Sequence, residues 1–167
     1  MDTKNFIINE NCLLKINLNT ISLNYKKIQK NIAKTSTVSA VLKSNAYGLG
    51  LSYIATKLID IGCNSFFLNS IKETLHLRKI CGNSDIYLLN GLININHNEI
   101  KEVLDKNITP VINSLEELEK LIKLKRSRGD CIEISLHFDT GINRLGIRQN
   151  ELVQIKNICK QNDIKVK

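Results

Sequence analysis

Two segments of the chain carry residue types that could do chemistry. The first, Ala40-Val41-Leu42-Lys43-Ser44-Asn45-Ala46-Tyr47-Gly48-Leu49-Gly50, runs from an apolar strand into a lysine, a loop with two glycines and then a helix. In parallel α/β architectures, sites are built at the C-terminal ends of the strands. Lys43 stands at such an end, backed by Ala40, Val41 and Leu42, and a partly desolvated amine is a better nucleophile toward an aldehyde. Gly48 and Gly50 would let backbone N–H groups approach an anion, with the next helix N-terminus helping to hold it. The Tyr47 hydroxyl could donate to a phosphate. The second segment, His137-Phe138-Asp139-Thr140-Gly141-Ile142-Asn143-Arg144-Leu145-Gly146, also follows an apolar strand and enters a glycine-containing loop. Arg144 is one of 5 arginines in a chain with 19 lysines. Its planar guanidinium suits bidentate contact with a carboxylate or with a phenolate-bearing ligand. From spacing alone both segments also admit a plainer reading: a lysine that ends a strand before a turn, and a surface arginine that caps a helix.

The elements that must position these residues alternate. Cys12 to Asn17 reads as a strand, followed by a helix with Ile21, Tyr25, Ile28 and Ile32 on one face. Thr37–Leu42, Ser65–Leu68, Asp85–Leu89, Thr109–Ile112 and Ile132–Phe138 read as strands. Ser52–Ile61, Ser70–Ile80, Asn96–Leu104, Ser114–Leu124 and Leu152–Cys159 read as helices, and Asp163–Lys167 as the start of one more strand. Ser70 with Glu73 and Ser114 with Glu117 have capping-box spacing. Strands alternating with helices of about ten residues predict βαβ units, a parallel sheet and right-handed crossovers. Periodicity does not decide between a doubly wound sheet and a barrel. Five βα units after residue 36 plus one strand would make, at most, part of a (β/α)8 barrel, which takes typically ~250 residues.

Composition narrows the classes. The chain has 167 residues, 43% of them hydrophobic and 24% charged, enough to bury one core. The net charge of +8 comes mostly from lysines dispersed along the sequence. Their densest cluster, Lys120 to Arg128, follows a helical pattern and reads as a solvated helix end. No zinc spacing or stacking-aromatic motif supports nucleic-acid binding as a primary role. No apolar run approaches the roughly 20 residues of a membrane span, and no secretory signal is evident, so the expected compartment is the cytoplasm. Cys12, Cys63, Cys81, Cys131 and Cys159 are widely spaced without a CxxC, which argues against a disulfide framework or a metal site; four of them read as small core residues. His76 and His97 read as solvated or packing residues.

Taken together, the two segments resemble a known family. Ala40 to Gly50 is similar to the cofactor-lysine signature of bacterial alanine racemases, AV.KANAYGHG, and Asp139-Thr140-Gly141-Ile142-Asn143-Arg144-Leu145-Gly146 is similar to their DTGMNRLG segment. Phe66 to Lys79 resembles the strand and Glu-rich helix that lie between the two. The resemblance covers residues 12 to 165, and only the first portion of the family's usual length. It implies an α/β fold, a partial (β/α)8 TIM-like barrel with the family's C-terminal β domain absent. It divides the chain into an N-terminal strand and helix, 1–36, and an incomplete barrel, 37–167.

The same resemblance implies pyridoxal 5′-phosphate as cofactor and no metal. Lys43 would form the internal Schiff base and act as base on one face of the substrate Cα. Tyr47 would contact the phosphate, and Arg144 would lie beside the cofactor's phenolic oxygen and the substrate carboxylate. The implied activity is interconversion of L-alanine and D-alanine, supplying D-alanine for peptidoglycan. In the family, the acid–base group on the opposite face is a tyrosine from the partner subunit's C-terminal domain. None of Tyr25, Tyr47, Tyr53 or Tyr87 matches it, so a homodimer partner or a complementing C-terminal polypeptide is expected. A non-enzymatic pyridoxal-phosphate-binding protein or a decayed remnant is the alternative. Two positions depart from the pattern. Leu49 stands where the family has histidine. His137 stands where many members have a lysine, often carbamylated and paired with the motif arginine.

Overall fold

The computed structural model describes residues 7–9, 12–128 and 131–167. A short antiparallel pair, β1 (Ile7–Asn9) and β2 (Cys12–Leu13), precedes helix α1 (Leu18–Asn31). The strand expected over 12–17 stops at Leu13 because Asn17 caps α1. Its side chain accepts from the N–H groups of Asn19 (3.0 Å) and Thr20 (3.1 Å), two of the donors a helix start leaves orphaned. Tyr25 of the expected α1 stripe is buried, and its hydroxyl donates to the Val38 carbonyl at 3.3 Å. Ile28 is 54% exposed, so α1 docks through Ile21 and Tyr25 and leaves its second half in solvent.

The rest of the chain alternates strand and helix as the sequence requires: β3 (Ala40–Val41), α2 (Leu51–Asp60), β4 (Ser65–Leu68), α3 (Ile71–Ile80), β5 (Asp85–Leu88), α4 (His97–Asp105), β6 (Ile108–Ile112), α5 (Leu115–Arg128), β7 (Ile132–Leu136), α6 (Leu152–Gln161) and β8 (Ile164–Val166). The sheet order is β3-β4-β5-β6-β7-β8, and every neighbouring pair is parallel. This consecutive order is that of a barrel opened after six strands, not of a doubly wound sheet, whose order reverses. β3 is shorter than expected because it lies at an edge and has one neighbour to pair with. Pro110 falls inside β6 rather than at its start. Leu88 pairs with Pro110 and Val111 with Ser135, so the residue without an N–H sits where β6 passes its pairing from β5 to β7.

Alternation along the strands sorts the side chains. Phe66, Leu68, Ile86, Leu88, Ile112 and Ile134 are at most 1% exposed and face the helices. Fully burying each such side chain stabilises by about 1.5–3 kcal/mol. On the other face, the rings of Phe67 and Tyr87 stack 4.4 Å apart. Lys167 pairs with Asp85 and Lys165 with Glu133 on the same face. Cys63, Cys81 and Cys159 are buried free thiols, as expected of small core residues; Cys131 is exposed. The Lys120–Arg128 cluster is only partly a solvated end. Lys120 pairs with Glu116 at 3.1 Å, but Lys125 donates to the carbonyls of Asn162 and Asp163 and closes the turn into β8. Among the described residues no helix is long and apolar enough to cross a membrane, and no His/Cys/Asp/Glu cluster could hold a metal ion.

The N-terminal edge of the sheet is clamped by one side chain. The Arg78 guanidinium donates to the carbonyls of Cys81, Gly82 and Ser84 before β5 and of Lys106 and Asn107 before β6, at 2.7–3.2 Å. A rigid five-donor fork suits this task, which an ammonium could not match.

Candidate functional site

Both chemistry-bearing segments lie at the opposite, C-terminal edge. Lys43 follows β3, half-buried. Immediately after it the backbone reverses hand. Ser44, Asn45 and Ala46 have φ/ψ of 54/50, 55/48 and 54/49°, and Tyr47 has φ 56°. Four consecutive L-residues in the left-handed region cost roughly 1–2 kcal/mol each, less for asparagine. The turn has its own bonds: Ala46 N–H to Leu42 O and Gly48 N–H to Ser44 O, both 2.9 Å. It also has a tertiary tether. Asn45 N–H donates to Glu73 Oε1 at 2.8 Å, while Ser70 Oγ donates to Glu73 Oε2 at 3.0 Å. The Ser70/Glu73 capping box is thus made on one side only. Glu73 N–H reaches Ser70 Oγ, but the Glu73 carboxylate serves the turn after Lys43.

The glycine loop is not the anion cradle that its composition suggests. The N–H groups of Gly48, Leu49 and Gly50 donate to Ser44, Ala46 and Asn45 carbonyls, and Leu51 N–H donates to Asn45 Oδ1 at 2.8 Å. The glycines answer a different need. Gly48 and Gly50 have φ of +83 and +95°, the conformations that end a left-handed turn and start α2. Leu49, at the position where the resembled family has histidine, packs against the hydrophobic core. Tyr47 is 62% exposed, so its hydroxyl is available to a ligand at this edge.

The loop after β7 is organised by a side chain. Asp139 Oδ1 accepts from the N–H groups of Gly141 and Asn143, both at 3.0 Å, and these bonds hold its carboxyl below the usual carboxylate range. Arg144 is exposed and shares a cleft of about 50 Å³ with His137, Phe138, Asp139, Thr140, Ile142 and Leu145. Behind the cleft lies a polar network that spacing did not reveal. His137 Nδ1 lies 2.7 Å from Asn113 Oδ1. Asn113 N–H donates to Glu117 Oε2 at 3.0 Å. Glu117 is 2% exposed, its Oε1 is unpartnered, and burial pushes its carboxyl above the usual range. Gly91 makes the network possible: a Cβ there would sit 2.3 Å from Glu117 Oε2 and 2.4 Å from Val111 O.

Lys43 and Tyr47 leave the first strand of the six-stranded sheet and Arg144 leaves the fifth, so all three occupy one edge but not one cleft. Of the remaining histidines, His97 opens α4, and His76 Nε2 meets Ser52 Oγ at 2.8 Å across α2 and α3.

Comparison with known proteins gives consistent results. The sequence matches the family described as alanine racemase, N-terminal domain, over residues 16–167. Alanine racemases of Rickettsia prowazekii and Rickettsia africae are both 40% identical over 147 residues; the match covers 87% of this chain and 35% and 40% of those proteins. The alanine racemase of Bartonella henselae, solved with covalently bound pyridoxal phosphate, superposes with a TM-score of 0.81 at 34% identity, over 91% of this chain and 44% of that one. A histidine racemase of Leuconostoc mesenteroides superposes with a TM-score of 0.75 at 25% identity, over 89% and 39%. The chain therefore spans less than half the length of these relatives.

Proposed function

Because the chain belongs to the alanine racemase family, we propose that it is the cofactor-lysine half of a pyridoxal-phosphate-dependent racemase that interconverts L- and D-alanine and supplies D-alanine for peptidoglycan. The observation that carries the reading is the half-buried Lys43 at the C-terminal end of β3, followed at once by the tethered left-handed turn. The residues present suit the cofactor: an amine for its aldehyde, and the exposed Tyr47 hydroxyl and Arg144 guanidinium for its anionic groups and the substrate carboxylate. Pyridoxal phosphate, when bound, supplies the electron sink that makes an amino-acid Cα–H removable. Lys43 holds the cofactor and moves a proton at Nζ on one face of the substrate. Arg144 orients.

Racemisation needs a second acid–base group on the other face. Tyr25 is unsuited to that task. Its hydroxyl is committed to Val38 O, and burial pushes its pKa up to about 12. Tyr87 lies on the sheet face, also pushed up by burial. By resemblance to the family, we assign the second group to another polypeptide surface, the partner of a homodimer or a complementing C-terminal chain, in the cytoplasm. The domain division at residue 36 belongs to the same reading.

The test is reconstitution with pyridoxal phosphate. The visible absorbance of the bound cofactor is expected in the wild-type chain and lost in Lys43→Ala, and borohydride should fix the cofactor to the Lys43 peptide. Equal binding after Lys43→Ala would overturn the reading. D-alanine formation is expected when the remaining barrel strands and β domain of a family member are supplied together with this chain, and not by the chain alone.

A further inference from the structure

Helix α3 holds the Lys43 loop at two points. Glu73 and His76 stand three residues apart on α3 and so share one face. Glu73 Oε1 accepts from Asn45 N–H at 2.8 Å, at the near end of the loop. His76 Nε2 lies 2.8 Å from Ser52 Oγ at the far end, in the first turn of α2. A neutral ring makes this bond in either tautomer, because a hydroxyl can donate to a bare Nε2 or accept from Nε2–H. Between the two anchors the loop closes on itself. Asn45 O accepts from Gly50 N–H at 2.9 Å, and Asn45 Oδ1 accepts from Leu51 N–H at 2.8 Å. Asn45, Leu51, Ser52, His76 and Glu73 thus form one circuit of hydrogen bonds and chain. Within it lie the left-handed turn, both loop glycines and the exposed Tyr47. A Cβ at Gly48 would meet nothing within 4 Å, so packing does not hold the loop there.

We propose that His76 is a positioning residue: through Ser52 it completes a clasp that presets the spacing between the Lys43 amine and the Tyr47 hydroxyl. A strained left-handed turn tied at one end can relax toward the other; tied at both ends to one helix, it has no such route. The clasp therefore matters to a ligand that must reach both groups at once, an aldehyde that also carries an anionic group. An aldehyde without the anion needs the amine alone. The identity of that ligand rests on the racemase reading. The clasp itself rests only on the contacts of α3.

The test compares two probes on the full chain: pyridoxal phosphate, and pyridoxal, which has the aldehyde but no phosphate. Visible absorbance reads the binding of each. His76→Ala should weaken binding of pyridoxal phosphate several-fold and leave that of pyridoxal unchanged. Ser52→Ala should do the same, and the double variant should add nothing further, because the two side chains act as one contact. His76→Gln, whose amide can again reach Ser52 Oγ, should recover part of the preference. An equal loss on both aldehydes, or no loss on either, overturns the positioning role. Amide exchange without any cofactor reads the clasp separately: the Gly50 and Leu51 N–H groups should exchange several-fold faster in His76→Ala. Unchanged exchange there overturns the clasp. A wild-type chain that binds neither aldehyde sinks the racemase reading, while the exchange result still decides the clasp.

Discussion

The loops after β3 and β7 face the same edge of the sheet and solve the same problem by opposite means. The first stores strain. Ser44 to Tyr47 are wound left-handed, and the turn keeps its shape through a carboxylate, Glu73, that belongs to another helix. The second is self-contained. Asp139 gathers the N–H groups of Gly141 and Asn143 within five residues, and Asn143 Nδ2 closes onto Gly141 O at 3.1 Å. Strain of this kind persists only where surroundings over-determine the backbone. The Lys43 loop should therefore report on the integrity of the whole first half of the sheet, whereas the Asp139 loop should keep its local bonds even when its support is weakened. Only the support behind it, the Gly91–Glu117–Asn113 network, is tertiary.

The largest expected effect breaks that support. Gly91→Ala places a Cβ against a backbone carbonyl and a buried carboxylate, at a φ of +60°. It should destabilise by about 3 kcal/mol or more, read as a shift of the urea midpoint or as failure to fold. Gly146→Ala comes next. Its Cβ would lie 2.7 Å from Asp139 N and 3.0 Å from Phe138 C at φ +116°, and these backbone atoms cannot step aside. By contrast, Gly48→Ala meets nothing within 4 Å and carries only the conformational cost of a positive φ, about 1 kcal/mol. If Gly48→Ala proved as costly as Gly146→Ala, the left-handed turn would be packed more tightly than the structure allows.

A smaller effect tests the tether. Glu73→Ala removes the acceptor of Asn45 N–H and one partner of Ser70. The expected loss is about 1–2 kcal/mol, with faster amide exchange at Asn45 and unchanged exchange at Gly141 and Asn143. Equal acceleration in both loops would show that they are not independent.

These loops also show what the sequence could reveal. β4, β5 and β7 were legible because each is a short apolar run between turn signals, and parallel pairing buries such runs on the helix face. The placement of Lys43 at the end of β3 and of the Arg144 loop after β7 followed from that order alone. The handedness of the turn did not, because Ser44, Ala46 and Tyr47 have no preference for the left-handed region; it is imposed by contacts from α3 and by Asn45. The two glycines were visible, but their purpose was misread: their N–H groups are consumed by the turn. Both capping-box glutamates were found by spacing, yet their carboxylates go elsewhere: Glu73 to the Asn45 N–H, 28 residues away, and Glu117 to the N–H of Asn113, the residue just before its own cap. Spacing identifies a local partner and says nothing of a better one supplied by the fold. The Asn113–His137 contact spans 24 residues and joins neighbouring strand ends, so only the sheet register reveals it.

The finest comparison lies in pH, where the second loop and its support should respond with opposite signs. Backbone N–H groups lower the Asp139 carboxyl, so the folded state binds its proton less readily than the unfolded chain does. That contribution is present above the ordinary aspartate value of 3.8 and is lost as pH falls through the lower, folded value. Glu117 is raised by burial, so the folded state holds its proton more tightly. Its contribution is complete below the ordinary glutamate value of 4.5 and is lost as pH rises through the higher, folded value. Asp139→Asn should therefore flatten the stability profile on its acid side. Glu117→Gln, which keeps an acceptor for Asn113 N–H, should flatten it from pH 4.5 upward and narrow the stability gap to wild type as pH rises. Melts of the two variants across pH 3 to 8 would separate the signs, and a Glu117→Gln profile parallel to wild type above pH 4.5 would mean that the unpartnered Oε1 is hydrated in solution rather than sealed beneath the β6 end.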